Sequence, residues 1–305
     1  MSRTAPNRPS TPPPDALAPA SSPARSPAWH RVWRRLCRPV GHELACRLAR
    51  AAEDHRRRGR APGEPDPLSV WHGPLESGFA IDSRGHADPA ATDKLRAELT
   101  YWVRAARGED PGLPGGLEVA FRAWQSTRLR ELGERLGLPP EPGAFERWAA
   151  GTRAVEVGCG PIPSLALAHW RVAVGVDPLG DGYAAEGLVP TWADHVAMVP
   201  ACGERLPLPS RSFDLGVCEN ALDHCEHPAR VLGELRRVLR PGGRLWLLVD
   251  LMTHRDAMHP SPFADEHRVR ASLRDAGFTV ESLEAWAGAS HPCAERQCRV
   301  LATRA

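Results

Sequence analysis

Two glycines and one aspartate carry the most chemical information in this chain. Gly158 and Gly160 follow an apolar run, and Asp177 ends the next apolar run, 19 residues after Gly158. Glycine lets the backbone approach a ligand closely because it has no Cβ. A carboxylate about 20 residues beyond the first glycine is spaced to bind ribose hydroxyls. These residues therefore predict half of a nucleotide-binding βαβ unit.

Three elements have to position those residues. Residues 154–157 and 172–176 are short apolar runs and predict two buried strands. Residues 164–168, between them, predict a helix. Its first N–H groups have no partner inside the helix and are free to face a ligand. The ligand is expected at the turn between the first strand and this helix.

The composition of the turn limits the kind of cofactor. Pro161 and Pro163 supply no N–H donors, and Pro163 takes the place of the third glycine of dinucleotide-binding folds. Both features disfavour a pyrophosphate. Glu156, two residues before the first glycine, also suits a cationic ligand better than a diphosphate. A nicotinamide-dependent oxidoreductase remains an alternative on the same βαβ start.

Three further blocks follow in order. Residues 201–209 end in Leu-Pro-Leu-Pro, residues 212–220 begin with Ser-Phe-Asp, and residues 240–245 contain Arg-Pro-Gly-Gly. Together with Glu-x-Gly-x-Gly at residues 156–160, they resemble the motifs of class I S-adenosylmethionine (SAM)-dependent methyltransferases of the ubiquinone-biosynthesis type. The resemblance covers residues 155–249.

The resemblance implies a fold, a cofactor and a set of contacts. The fold is α/β, a Rossmann-like doubly wound sheet of order 3-2-1-4-5-7-6 with the last strand antiparallel and an N-terminal helical extension. The cofactor is SAM, at the carboxyl ends of the strands. The residues expected to contact it are Glu156, Gly158, Cys159, Gly160, Asp177, Leu179, Cys202, Gly203, Glu204, Glu219 and Asn220.

Two positions depart from the pattern of that family. Ile162 stands where its first motif has a third glycine, and Cys202 stands where an acidic residue normally takes the adenine amino group. A thiol is a poor acceptor. Either Glu204 substitutes for it, or the Gly203 backbone and apolar packing hold the adenine. These departures keep open a SAM-binding scaffold protein without turnover.

Methyl transfer to oxygen needs a general base when the acceptor pKa is high. The segment after strand 4 carries His224, whose imidazole has a reference pKa of about 6.5, and we predict it as the catalytic residue. His254 and His259 are second choices. The Asp/Asn-Pro-Pro-Tyr/Phe signature of amino-methylating enzymes is absent. A hydroxyl of a small molecule or a sugar is therefore the favoured acceptor, and nitrogen and carbon acceptors remain open.

Histidines and cysteines also lie close together at residues 224–227 and 291–298. Neither group has the paired C-x-x-C spacing of zinc sites, so no metal is expected. The 8 cysteines are too scattered for a disulfide scaffold in a chain of 305 residues.

Composition divides the chain into three parts. Residues 1–28 are rich in Pro, Ser and Ala and predict a disordered tail. Residues 29–150 predict a helical accessory or cap region, and residues 151–305 the SAM-binding domain. Within the second part, residues 29–60 predict a basic amphipathic helix. It would dock on the protein or on an acidic or membrane surface.

Charge and hydropathy exclude several classes of partner. The first 60 residues hold 13 arginines against 4 acidic residues, so a chain of net charge +2 has a net charge of −7 in its remainder. No nucleic-acid partner is therefore expected. No apolar run approaches the roughly 18 residues that cross a membrane. The N-terminus also lacks the apolar region of a signal peptide, so a cytoplasmic location is expected.

Overall fold

The computed structural model describes residues 89–109, 117–288, 294 and 296–305. The predicted tail at residues 1–28 and the predicted basic helix at residues 29–60 lie outside the described residues. None of the helices in the described ranges could span a lipid bilayer.

Seven strands and six α-helices make up the described fold. The strands are β1 (Arg153–Val157), β2 (Val172–Val176), β3 (Ala197–Val199), β4 (Phe213–Glu219), β5 (Leu239–Leu251), β6 (Phe278–Ala287) and β7 (Arg296–Arg304). The helices are α1 (Pro89–Ala106), α2 (Leu117–Arg135), α3 (Ala144–Gly151), α4 (Gly180–Glu186), α5 (Pro228–Val238) and α6 (Glu266–Asp275).

The seven strands form one sheet of order β3-β2-β1-β4-β5-β7-β6. The first five strands pair in parallel, and β7 is antiparallel to both β5 and β6. This confirms the predicted α/β fold class, strand order and antiparallel last strand. The carboxyl ends of β1, β2 and β4 meet at one edge, where ligands bind in open α/β sheets.

The two faces of the sheet bury separate cores, because successive residues of a strand point to opposite faces. On β1, Ala154 packs in the core that also holds Leu132 of α2 and Ala149 of α3. Val155 packs in the opposite core, together with Leu235 of α5. Both faces are covered, and this explains why the parallel strands are apolar almost throughout.

The predicted helix at residues 164–168 is wrong. Ser164–Leu167 form a single turn of 3₁₀ helix, and Ala168 is already extended. The reason is length, since only four residues separate Leu167 from the start of β2 at Val172. Pro163, in an extended conformation just before the turn, also keeps an α-helix from beginning earlier.

Arg237 of α5 holds the segment that leads towards β4. Its guanidinium donates to the carbonyl oxygens of Leu206 and Leu208 at 2.8 Å each and to the hydroxyl of Ser210 at 3.1 Å. Its Nε atom also pairs with Glu234 at 2.7 Å. One side chain therefore fixes a loop that has no regular structure of its own.

We expect Arg237→Lys to lower the free energy of unfolding by about 2 kcal/mol, because an ammonium cannot reproduce the planar set of donors. Urea denaturation measures the change. Arg230→Lys, at an exposed position of the same helix, is the matched control and should cost less than about 0.5 kcal/mol. Equal losses in the two variants would contradict this role for Arg237.

Candidate functional site

The glycine turn after β1 depends on two left-handed residues. Gly158 has φ +69° and Gly160 has φ +61°, a region that side chains disfavour. A Cβ on Gly158 would lie 2.2 Å from the Cβ of Ala221, in the segment that follows β4. The turn and that segment therefore touch directly, and glycine is required for the contact.

Asp177, at the end of β2, closes the turn from the other side. Its carboxylate accepts hydrogen bonds from the N–H of Gly160 at 3.0 Å and of Leu179 at 2.9 Å, and from the hydroxyl of Tyr183. Burial raises the pKa of Asp177 to about 6, against the effect of these donors. The residue predicted to bind ribose thus lies at the turn and also shapes it. The ribose contact itself stays a prediction.

Glu156 binds protein backbone. Its two carboxylate oxygens accept from the N–H groups of Ser164 and Leu165, each at 3.1 Å. The predicted free N–H groups at this helix end are therefore already bonded, and that prediction is wrong for both residues. Burial, together with the charge of Glu219, raises the pKa of Glu156 to about 8.

Glu219 ends β4 on the same face of the sheet. It accepts from Trp246 Nε1 at 2.8 Å and from the Ser164 hydroxyl at 3.0 Å. It also pairs with Arg128 of α2 at 3.1 Å. The two side chains are 18% and 6% exposed, so this largely buried ion pair attaches α2 to the carboxyl edge of the sheet. No sequence motif indicated this use of Arg128.

Asn220 turns the chain away from the sheet after β4. It has φ +47°, a left-handed conformation that asparagine tolerates better than most residues. Its N–H donates to the carbonyl oxygen of Leu248 at 2.8 Å. This bend directs the following residues, up to His227, across the carboxyl edge of the sheet.

The remaining predicted cofactor residues surround the turn. The Gly203 backbone lies against β1, since a Cβ there would be 2.8 Å from Val157 Cγ1. Burial raises the pKa of the neighbouring Cys202 to about 11, so it stays a neutral thiol. The Cys159 side chain is buried towards β2 and β3, 3.8 Å from the sulfur of Met198.

Glu204 and Leu179 are the last two of the predicted cofactor residues. The carboxylate of Glu204 accepts from the His227 N–H at 3.4 Å. The Leu179 side chain is buried beside Asp177. Among the described residues, the structure therefore brings the predicted cofactor residues to one edge. Their contacts with a cofactor stay predictions.

Helix α1 crosses this edge, although no motif pointed to it. Trp102 would meet a Cβ on Gly160 at 3.6 Å, and Leu99 would meet one on Gly182 at 3.1 Å. The glycine turn is consequently buried under the helix.

His224 lies where the same helix meets the segment after β4. Its Nδ1 is 3.1 Å from Oε1 of Glu98, and Lys94 donates to its carbonyl oxygen. Burial lowers the pKa of His224, but Glu98 and the charge of Asp223 outweigh it, so the net shift is upward. Glu98 is 126 residues away in sequence and was not predictable.

The two second-choice histidines differ in environment. His254 is largely exposed, 3.6 Å from Asp256. His259 is 4% exposed, and its ring lies 4.4 Å from that of His224. The structure therefore brings His259, and not His254, to the predicted catalytic residue.

Residues 155–247, from β1 into β5, match a family model described as a methyltransferase domain. A malonyl-[acyl-carrier protein] O-methyltransferase of Methylococcus capsulatus is 37% identical over 109 residues, covering 30% of this chain and 38% of the relative. The 27-O-demethylrifamycin SV methyltransferase of Amycolatopsis mediterranei is 32% identical over 165 residues, covering 44% and 57%. The chain thus spans less than two thirds of either relative.

One solved structure resembles most of the described fold. It is a 1,6-didemethyltoxoflavin-N1-methyltransferase of Burkholderia thailandensis with bound 1,6-didemethyltoxoflavin and S-adenosylhomocysteine. The TM-score is 0.50 at 18% identity, covering 73% of this chain and 93% of the other. At this identity the similarity shows a shared fold.

We expect Gly158→Ala to be more destabilising than Gly187→Ala. Both glycines have φ +69°, so both variants carry about 1–2 kcal/mol of backbone strain. Gly187 has open space around it, whereas Gly158 contacts Ala221. Overpacking should cost Gly158→Ala about 1–3 kcal/mol more. Urea denaturation of both variants measures this, and similar losses would mean that Ala221 moves away freely.

We expect the stability contributed by Glu156 to fall between pH 5 and pH 8. The pKa of Glu156 is about 8 in the folded protein against an ordinary 4.5, so the folded state keeps a proton that the unfolded chain releases. The contribution is fully present below pH 4.5 and is lost as the pH rises through 8. Relative to Glu156→Gln, the wild-type free energy of unfolding should fall by on the order of 1–3 kcal/mol.

Urea denaturation at several pH values checks this. Glu146→Gln, at an exposed position of α3, keeps Glu156 and serves as the control, so its stability should follow that of the wild type at every pH. A wild-type stability that stays constant, or rises, relative to Glu156→Gln would contradict the buried protonated carboxyl.

Proposed function

We propose, from the match of residues 155–247 to a methyltransferase domain and from the strand order of the sheet, that this is a class I SAM-dependent methyltransferase that transfers a methyl group from SAM to a hydroxyl of a small molecule or a sugar. One observation carries the proposal. The left-handed glycine turn and the buried Asp177 carboxylate meet at the carboxyl edge of the sheet, where this fold binds its ligands. The two relatives named O-methyltransferase or methyltransferase support the reaction class.

The residues at this edge fit SAM. The turn at residues 158–160 lets backbone approach the ligand, and Asp177 is the carboxylate available for the ribose hydroxyls. Leu179 and the Cys202–Gly203 backbone are assigned to the adenine. Glu219 and Asn220, at the end of β4, are assigned to the methionine part. The absence of a pyrophosphate in SAM agrees with the two prolines of the turn.

SAM supplies a methyl group that its sulfonium already activates. The protein therefore has to hold the acceptor oxygen in line with the methyl group and to exclude water. The segment after β4, the loop after β5 and α1 meet beside the end of β4. We assign removal of the acceptor proton to the group of side chains around His224, which lies there.

The surroundings of His224 favour an uncharged acceptor. The aromatic and imidazole groups Trp102, His224 and His259 lie near this edge, together with the carboxylates of Glu98 and Asp256. A phosphorylated acceptor would call for clustered arginine instead. A neutral hydroxyl compound meets no such charge conflict.

Calorimetric titration with SAM and with S-adenosylhomocysteine tests the cofactor. We expect Asp177→Asn to weaken binding by about tenfold to a hundredfold, which corresponds to one charge-assisted hydrogen bond. Asp181→Asn, an exposed acidic residue in the first turn of α4, is the control and should bind as the wild type does. No binding of either compound at high micromolar concentration would reject the proposal.

Turnover needs a second experiment, with labelled SAM and fractionated small-molecule extracts. We expect His224→Asn to lose most of its turnover while its affinity for SAM changes less than tenfold, because His224 lies on the acceptor side. Binding without transfer to any fraction would favour a scaffold protein. Protection against unfolding by NAD or NADP, and not by SAM, would favour an oxidoreductase.

A further inference from the structure

Three metal-binding side chains converge beside the end of β4. Asp223 and His224 follow that strand, and His259 comes from the loop after β5. One potential ligand atom of each lies within 4.8 Å of the other two. The sequence did not indicate this cluster of three side chains, because His259 stands 35 residues beyond His224.

Hydrogen bonds hold the β5 loop in the position that brings His259 there. The N–H of Met252 donates to the carbonyl oxygen of Phe263 at 2.8 Å, which closes the base of the loop. The N–H of Ser261 donates to the carbonyl oxygen of Asp223 at 3.4 Å. The loop is therefore attached to the segment that carries the other two side chains.

The Asp223 carboxylate is the first indication of a bound cation. The residue is 2% exposed, and its Oδ1 has no hydrogen-bond partner among the described residues. A buried carboxylate oxygen without a partner is costly, and such groups in native proteins commonly pair with a cation. None of the described lysine and arginine side chains forms an ion pair with Asp223.

The orientation of the two imidazoles is the second indication. Nδ1 of His224 is 3.1 Å from Oε1 of Glu98, and Nδ1 of His259 is 3.0 Å from Oδ1 of Asp256. Histidines that bind metals usually hold a carboxylate with the other ring nitrogen, which fixes the ring and its tautomer. Both His224 and His259 have this arrangement, so Nε2 of each ring is the atom left to face the ion.

We propose that Asp223, His224 and His259 bind one divalent first-row transition metal ion, of the Zn²⁺ or Fe²⁺ class. Two imidazoles and one carboxylate are the ligand set of catalytic zinc sites and of non-haem iron sites, whereas Mg²⁺ and Ca²⁺ prefer oxygen ligands. Bonds of about 2.0–2.2 Å require the three ligand atoms to close by on the order of 1 Å.

The charges around the cluster favour a cation. Glu98 and Asp256 add two carboxylates next to the ligands, whereas Lys94 contributes one positive charge, at the carbonyl oxygen of His224. Three protein ligands leave at least one coordination position open. An acceptor oxygen bound there would lose its proton more readily. That role rests on the proposed function, whereas ion binding does not.

Equilibrium dialysis and visible absorption with Co²⁺ test the site in the full chain. The wild type should bind one equivalent more than Asp223→Asn or His259→Asn, with absorption bands that the variants lack. The affinity of each variant should fall at least about tenfold. His267→Asn, at an exposed position of α6, is the control and should bind as the wild type does.

Thermal unfolding separates loss of the site from loss of the fold. Without metal, Asp223→Asn should melt no lower than the wild type, because a neutral amide is easier to bury than a carboxylate without a partner. Added Zn²⁺ should raise the wild-type melting temperature and leave that of Asp223→Asn unchanged. Equal shifts in both proteins, or no shift in the wild type, would overturn the proposal. None of these measurements needs SAM or an acceptor, so a failure of methyl transfer would not affect them.

Discussion

Two carboxylates buried side by side constrain the whole cofactor edge. Glu156 and Glu219 lie on neighbouring strands and on the same face of the sheet, where desolvation and the charge of Glu219 oppose the ionisation of Glu156. Hydrogen-bond donors offset the free-energy cost of burying the two side chains. The backbone of Ser164 and Leu165 serves Glu156, and the side chains of Trp246, Ser164 and Arg128 serve Glu219. The donors come from the 3₁₀ turn at Ser164–Leu167, β5 and α2, so these elements are held to one another through the two acids.

Helix α1 completes the site from outside the matched domain, which begins at residue 155. Trp102 covers the glycine turn, and Glu98 and Lys94 contact His224. A cofactor that uses the turn therefore has to pass beside this helix or displace it. Because α1 contacts both the glycine turn and His224, substitutions in this helix reach the site without changing the matched residues 155–247.

The parts that were predictable from the sequence are those that depend on neighbours along the chain. Gly158 and Asp177 could be placed because a strand, a turn and a strand follow one another within about 20 residues. The prediction of a helix at residues 164–168 was wrong. Local apolar spacing does not show that β2 must begin after only four residues. The contact of Glu98 with His224 joins residues 126 apart. Neither residue type nor spacing carries such information, so it emerged only from the fold.

Lys94, at the contact between α1 and the segment after β4, is the only lysine in the sequence. Its ammonium group is half-buried and bonded to the carbonyl oxygen of His224, while arginine supplies every other basic aliphatic side chain. An amine-reactive reagent consequently has a single side-chain target in the whole protein. Its rate of labelling would report how often the helix leaves the sheet edge, and no substitution is needed to install the probe.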